Sequence, residues 1–325
     1  MVDYSSLILL IILNLFLFVI FMKIAKKIGF IDKSNKFNNP ITFTSAGVIF
    51  YINLLATFSF FFFLKDHNFS NYPNNIIFTF ISLTALVFIS TVDDIKPIDP
   101  KIRLFLQLIC VYISLTSIKL YNLELPIKIS ILLCLFLWVY ILNITNFTDG
   151  SDGFLATNTI FLLSNVIIAC HTLDLDLFSK EISIILLTSI VPFLYFNKPV
   201  AKMYMGDSGS ILIGFINGFI FLELLTHGKL NIAISLLIYP FLDCSFALIR
   251  KTFKRKMPWI DTSNYSFLQP TIKNNTNKFY VFYINILFNL LNSLLIILQI
   301  IYSWHFIFLN LLLSISLLLA YEKKN

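Results

Sequence analysis

Three short acidic stretches carry residue types and spacings that could do chemistry. VDDI (92–95) places Asp93 and Asp94 side by side. NITNFTDGSDG (143–153) repeats an Asx residue every third position, at Asn143, Asn146, Asp149 and Asp152, with Gly150 and Gly153 leaving the backbone free to turn sharply or approach a ligand. MYMGDSGS (203–210) sets Asp207 between Gly206 and Gly209. Carboxylate and amide oxygens without nearby His or Cys suit a hard divalent cation or the handling of a metal-bound phosphate. An EF-hand would need a longer run of alternating ligands and a closing Glu, which 143–153 lacks. The plainer readings are a helix cap at Asp207, a capped turn at 149–153, and an aspartate pair neutralised by Lys101 and Arg103 of its own loop.

The elements that must position these residues are membrane helices. The chain is 58% hydrophobic and only 13% charged, with 36 Phe among 325 residues and a mean hydropathy of +0.85. A globular chain is nearer half apolar and a quarter charged. Apolar runs lie near 5–22, 47–64, 76–92, 104–118, 129–145, 154–170, 182–196, 209–226, 232–249, 279–301 and 305–321. Their lengths suit crossing about 30 Å of hydrocarbon, some as short or tilted helices. The expected architecture is therefore all-α, about eleven transmembrane helices in a single domain spanning 1–325, since backbone polar groups in lipid must pair within their own segment. The first run has no basic residue before it and no small-residue cleavage site after it, so it reads as a retained span.

Charge sets the expected orientation. With the N-terminus outside, 19 of the 24 Lys and Arg residues fall in inward loops, and all three acidic stretches face the cytoplasm. The net charge of +7 is spread over these short loops and forms no basic patch of the nucleic-acid-binding kind. Cys110, Cys134, Cys170 and Cys244 sit inside apolar runs without metal-ligand spacing and read as small core residues.

Taken in order, the aspartate pair, NxxNxxDGxDG, MGDxGS and a basic inward loop near 250–278 closely resemble the polyprenyl-phosphate N-acetylhexosamine-1-phosphate transferases, relatives of phospho-N-acetylmuramoyl-pentapeptide transferase. The resemblance spans nearly the whole chain. It implies transfer of a HexNAc-1-phosphate from a UDP-N-acetylhexosamine to undecaprenyl phosphate at the cytoplasmic face of the plasma membrane, with Mg2+ as cofactor, or Mn2+ in its place. It implies that Asp93, Asp94 and Lys101 handle the lipid phosphate and that Asp207 ligates the metal. It also implies that Asn143, Asn146, Asp149, Gly150, Asp152 and Asn197 face the nucleotide. Arg103 and Arg250 are then expected to steer phosphates. PFLDCSFALIRK, with Asp243 and Arg250, looks like a segment of the amino-sugar branch of the family. Partners are thus the nucleotide sugar, the lipid phosphate and membrane lipid, with no nucleic acid, and a homodimer is compatible with the resemblance.

Two stretches depart from the family pattern. The last inward loop reads DTSNYSFLQPTIK (261–273), with Ser263, Ser266 and Gln269 where the family carries histidines, and His67, His171, His227 and His305 all fall on the opposite side. ITFTSAG (41–47) replaces a Pro-Thr-Pro and Gly-Gly pattern. Two readings follow from the first departure: Tyr265 and Gln269 supply weaker phosphate or metal contacts, or the chain is a weak or inactive homologue. A transporter or lipid flippase would also have many helices, but it calls for charges near the bilayer midplane and paired halves. Here the acids cluster at helix ends and no repeat is visible.

Overall fold

The computed structural model describes residues 4–31, 42–64, 75–253, 265–273, 277–302 and 306–322. They form twelve helices: α1 (Tyr4–Ile28), α2 (Gly47–Leu64), α3 (Ile76–Ile95), α4 (Pro100–Ser114), α5 (Ile127–Phe147), α6 (Phe154–Thr172), α7 (Phe178–Asn197), α8 (Gly206–Thr226), α9 (Leu230–Phe253), α10 (Gln269–Lys273), α11 (Lys278–Tyr302) and α12 (Phe306–Glu322). Apart from the one-turn α10, each falls on one of the eleven apolar runs. Eight are long and apolar enough to cross a bilayer, while α2, α4 and α12 are shorter. This is the all-helical fold of a polytopic membrane protein.

Helix boundaries follow capping chemistry more than hydropathy. The run expected at 104–118 begins at Pro100, because Asp99 accepts the Lys101 N–H at 2.8 Å and proline is tolerated in the first turn. It ends at Ser114 and passes into a short 3-10 turn at Leu115–Ser117.

Helix α8 is the axle of the bundle, with nearly all of its side chains buried. Apolar helices gain nothing by hiding from equally apolar lipid, so close approach of backbones must come from small residues and polar contacts. Gly218 provides one such approach: the Trp138 indole of α5 lies over it, where any Cβ would collide with the ring. The indole N–H donates to the Phe215 carbonyl at 2.8 Å, which fixes the register of α5 on α8.

Polar side chains stitch the remaining helices. Asn53 of α2 donates to Thr188 of α7 at 3.0 Å, and Asn289 of α11 donates to Asn158 of α6 at 2.7 Å. At the end of the bundle holding the α8 C-terminus, buried Glu223 accepts the backbone N–H groups of Phe178 (3.2 Å) and Ser179 (2.8 Å), capping α7 from a neighbouring helix. The three acidic stretches all lie at the other end, where α3, α5 and α7 finish and α4, α6 and α8 begin. The four cysteines are buried and unbridged.

Candidate functional site

The site is built on the start of α8. Before that helix, residues 202–205 run beside 43–47, the segment that leads into α2: Phe43 N–H donates to the Lys202 carbonyl (3.1 Å), Tyr204 N–H to the Phe43 carbonyl (2.7 Å) and Gly47 N–H to the Met205 carbonyl (3.0 Å). This pairing sets Ser45 beside the α8 N-terminus. Gly206 then turns the chain with φ +71°, and a Cβ there would stand 2.6 Å from an Asp94 carboxylate oxygen. Glycine is required on both counts.

Asp94 fills the space so created. Its carboxylate accepts the N–H of Asp207 (2.8 Å), the N–H of Ser208 (3.3 Å) and the Ser45 hydroxyl (2.8 Å). A helix N-terminus presents free N–H groups and partial positive charge, so a carboxylate is stabilised there. The cap of α8 is therefore Asp94 from α3, and the Asp207 side chain is released for other work.

Asp207 and Asp93 share one cation. The Arg103 guanidinium of α4 donates to Asp207 at 2.7 Å and is ion-paired with Asp93, which also accepts the Ile98 N–H at 2.5 Å. Of the two basic residues expected to balance the pair, Arg103 does so. Lys101 is exposed, and its side chain has no partner among the described residues.

The loop 148–153 between α5 and α6 forms the second half. Asp152 is buried, accepts the Ala201 N–H at 3.1 Å and pairs with Lys278 of α11 at 3.1 Å. Buried Asn197 ties this loop to the approach of α8, accepting the Gly153 N–H (3.1 Å) and donating to the Met203 carbonyl (2.8 Å). Asn143 donates to Gln107 at 2.8 Å, and Asn146 accepts the Ser210 hydroxyl at 2.5 Å, so these two couple α5 to α4 and α8. The Asp149 carboxylate receives no hydrogen bond among the described residues. Partial burial raises its pKa well above the ordinary carboxylate range, and the charges of Asp207, Asp94 and Asp152 push it further. Gly150 is exposed at the loop tip, against Leu268.

The structure thus gathers Asp93, Asp94, Arg103, Asn146, Asp149 and Asp207 around the α8 N-terminus. Arg250 stands apart from them, paired with Glu322 of α12. His171 and His227 are at the far end of the bundle, Ser266 and Gln269 are buried, and Ser263, His67 and His305 lie outside the described residues. The contributions of Ser45 and Lys278 escape sequence reasoning, because each acts on a carboxylate far away in the chain.

The donor set fits a magnesium ion by its chemistry. Several carboxylates crowd around one guanidinium, and the Asp149 carboxyl receives no hydrogen bond among the described residues. Among the described residues no three His, Cys, Asp or Glu side chains form a metal cage by themselves. Magnesium seldom needs one, since it binds through one or two carboxylates together with substrate phosphates and water.

Comparison with known proteins shows what the chain is similar to. The profile of Glycosyl transferase family 4 matches residues 76–225, the stretch holding all three acidic motifs. The chain is 26% identical to the undecaprenyl-phosphate alpha-N-acetylglucosaminyl 1-phosphate transferase of Thermotoga maritima, over 95% of this chain and 94% of that one. It is 37% identical to the phospho-N-acetylmuramoyl-pentapeptide-transferase of Leuconostoc citreum, over only 27% of this chain and 28% of that protein. A probable undecaprenyl-phosphate N-acetylglucosaminyl 1-phosphate transferase of Bacillus subtilis is 25% identical over 53% of this chain and 51% of its own. Residues 76–225 are thus similar to glycosyl transferase family 4, and the relatives are named as polyprenyl-phosphate or pentapeptide sugar-1-phosphate transferases.

Proposed function

We propose that the protein transfers an N-acetylhexosamine-1-phosphate from a UDP-sugar to undecaprenyl phosphate, releasing UMP, at the cytoplasmic face of the plasma membrane. The observation that carries this reading is the cluster at the α8 N-terminus, where Asp94 orients Asp207 and Arg103 joins Asp207 to Asp93.

The Arg103 and Asp207 side chains are about a third exposed. Beside Arg103, the outward faces of α3 and α4 expose Ile95, Ile102 and Phe105. An amphiphile with a phosphate head can therefore lay its chain against these helices while its head meets Arg103. The nucleotide half of the donor falls to the other side of the cluster, at 148–153 and Asn197. In the transfer, an oxygen of the lipid phosphate forms a bond to the phosphorus that bears the sugar, and the bond from that phosphorus to the UMP oxygen breaks. The attacking oxygen is already ionised at neutral pH, so positioning and charge balance matter more than proton removal. Asp207 and Asp149 would hold the magnesium ion, which when bound neutralises phosphate charge and aligns the two substrates. Arg103 bridges Asp207 and Asp93 and offsets their negative charge, and Asp94 fixes the Asp207 backbone.

We further infer a simple N-acetylated amino sugar as donor, serving a surface glycan of the O-antigen type. The near end-to-end match to a GlcNAc-1-phosphate transferase, against partial-length matches to pentapeptide transferases that reach 56% of this chain, supports this choice. The test is magnesium-dependent formation of lipid-linked sugar and UMP by membranes carrying the chain. UDP-GlcNAc and UDP-MurNAc-pentapeptide are offered side by side with undecaprenyl phosphate. Preference for the pentapeptide overturns the sugar assignment, and use of no UDP-sugar overturns the transferase reading.

A further inference from the structure

The segment 265–268 is seated on both ends of the acidic loop. The Tyr265 ring stacks on Phe147, with centroids 5.7 Å apart and planes at 27°, and Phe267 stacks on Phe154 at 4.5 Å and 18°. Phe147 closes α5 and Phe154 opens α6, so the two stacks straddle 148–153. Between them Leu268 meets Gly150, where a Cβ would lie 3.3 Å from its methyl group.

The same segment is gripped from behind. Ser266 donates its N–H to Asp243 of α9 at 2.8 Å and its hydroxyl to Glu322 of α12, also at 2.8 Å. Glu322 is in turn ion-paired with Arg250. A carboxylate on the last residue of a helix sits against the negative end of the dipole, which is unfavourable by itself. Arg250 and Ser266 offset that cost, so Glu322 is held in place by the contacts that grip the segment.

We propose that Ser266 and Glu322 are positioning residues: through the aromatic clamp at 265–268 they set how the loop bearing Asp149 and Asp152 is presented to the donor nucleotide. The inference rests on the transferase reading for its functional half. It also assigns a role to a stretch that lacks the family's histidines, in which aromatic stacking holds the loop.

The test uses the full chain in detergent with Glu322→Gln, Ser266→Ala and Ser266→Thr. Amide hydrogen exchange across 148–153 is expected to rise about tenfold in the first two, the scale of one charge-assisted hydrogen bond, and to stay near wild type in Ser266→Thr, which keeps the hydroxyl. KM for UDP-GlcNAc should rise by about the same factor, while kcat and KM for undecaprenyl phosphate stay within about twofold. Unchanged exchange in Glu322→Gln and Ser266→Ala overturns the clamp. Raised exchange with an unchanged donor KM overturns its role in presenting the loop. A wild-type chain that turns over no UDP-sugar removes the transferase reading, and the exchange measurement then decides the mechanical coupling alone. Should Glu322→Gln fail to fold, the Ser266 pair carries the same decision.

Discussion

The Asp94 carboxylate accepts the backbone N–H of Asp207 at 2.8 Å, so one acidic residue of the site fixes the main chain of another. Two neighbouring carboxylates would ordinarily repel. Here the helix N-terminus lies between them and supplies the positive end that Asp94 needs. The same bond leaves the Asp207 side chain pointing at Arg103.

Asp94→Asn therefore differs in kind from Asp207→Asn. An Asn at 94 keeps one oxygen to accept from 207 but loses the charge that favours the helix end, a difference of about 0.3–1 kcal/mol near a helix terminus. The expected outcome is a folded protein with reduced transfer, with stability lowered by about that amount. An Asn at 207 is expected to remove the proposed metal ligand and abolish transfer while the thermal midpoint stays close to wild type. Thermal melts and transfer assays on both variants distinguish the two roles, and a fully active Asp207→Asn would remove it as a ligand.

Gly206→Ala should be far more damaging than its size suggests. The left-handed backbone alone costs a side-chain-bearing residue about 1–2 kcal/mol, and the new methyl meets the Asp94 carboxylate. Loss of transfer together with a lowered melting temperature is expected, and an active, wild-type-stable Gly206→Ala would contradict the geometry.

Asp149 makes the site sensitive to pH in a defined direction. Burial and three neighbouring carboxylates raise its pKa in the folded chain, so the native state favours the protonated form, and ionisation above the unfolded value near 3.8 works against folding. A divalent cation reverses the balance by favouring the ionised form. Magnesium binding should therefore release protons and tighten as pH rises through the raised pKa. Calorimetry in buffers of different ionisation enthalpy reads the proton count, and Asp149→Asn should lower it. An equal count in wild type and variant would exclude Asp149 from the cation site.

The two ends of the bundle should lie on opposite sides of the membrane. Lys96 is exposed beside the aspartate pair and Asp174 is exposed at the far end, whereas Ser208 is fully buried and unsuited to labelling. With the native cysteines buried, Lys96→Cys should react with an impermeant thiol reagent only from the cytoplasmic side and Asp174→Cys only from outside. Reaction of both from one side would overturn the arrangement.

Much of this site is legible in the sequence because its carboxylates sit in short local patterns. Asp93 and Asp94 are adjacent, Asp207 lies between two glycines, and the Asx repeat ends at Gly153. All eleven apolar runs are visible because each is set off by polar loops. What is not legible are the groups that hold those patterns. Ser45 reaches Asp94, Lys278 reaches Asp152 and Glu322 reaches Ser266 across stretches of chain that leave no local signature. Arg250 shows the same limit from the other side. A basic residue in an inward loop suggests a phosphate, but its nearest anion is a carboxylate brought in by the last helix.

The shortness of α4 has a consequence for the surrounding bilayer. Its 15 residues rise about 22 Å, against a hydrocarbon core of about 30 Å. Lipid that meets this flank must thin, or the helix must be extended by the 3-10 turn that follows it, and mismatch of this kind costs a fraction of a kcal/mol per ångström. Because Arg103 stands at the charged end of the same helix, thinning there brings phosphate headgroups toward the aspartates without any motion of the protein. Acyl-chain length in reconstituted vesicles therefore becomes a control on how readily the lipid substrate reaches its site.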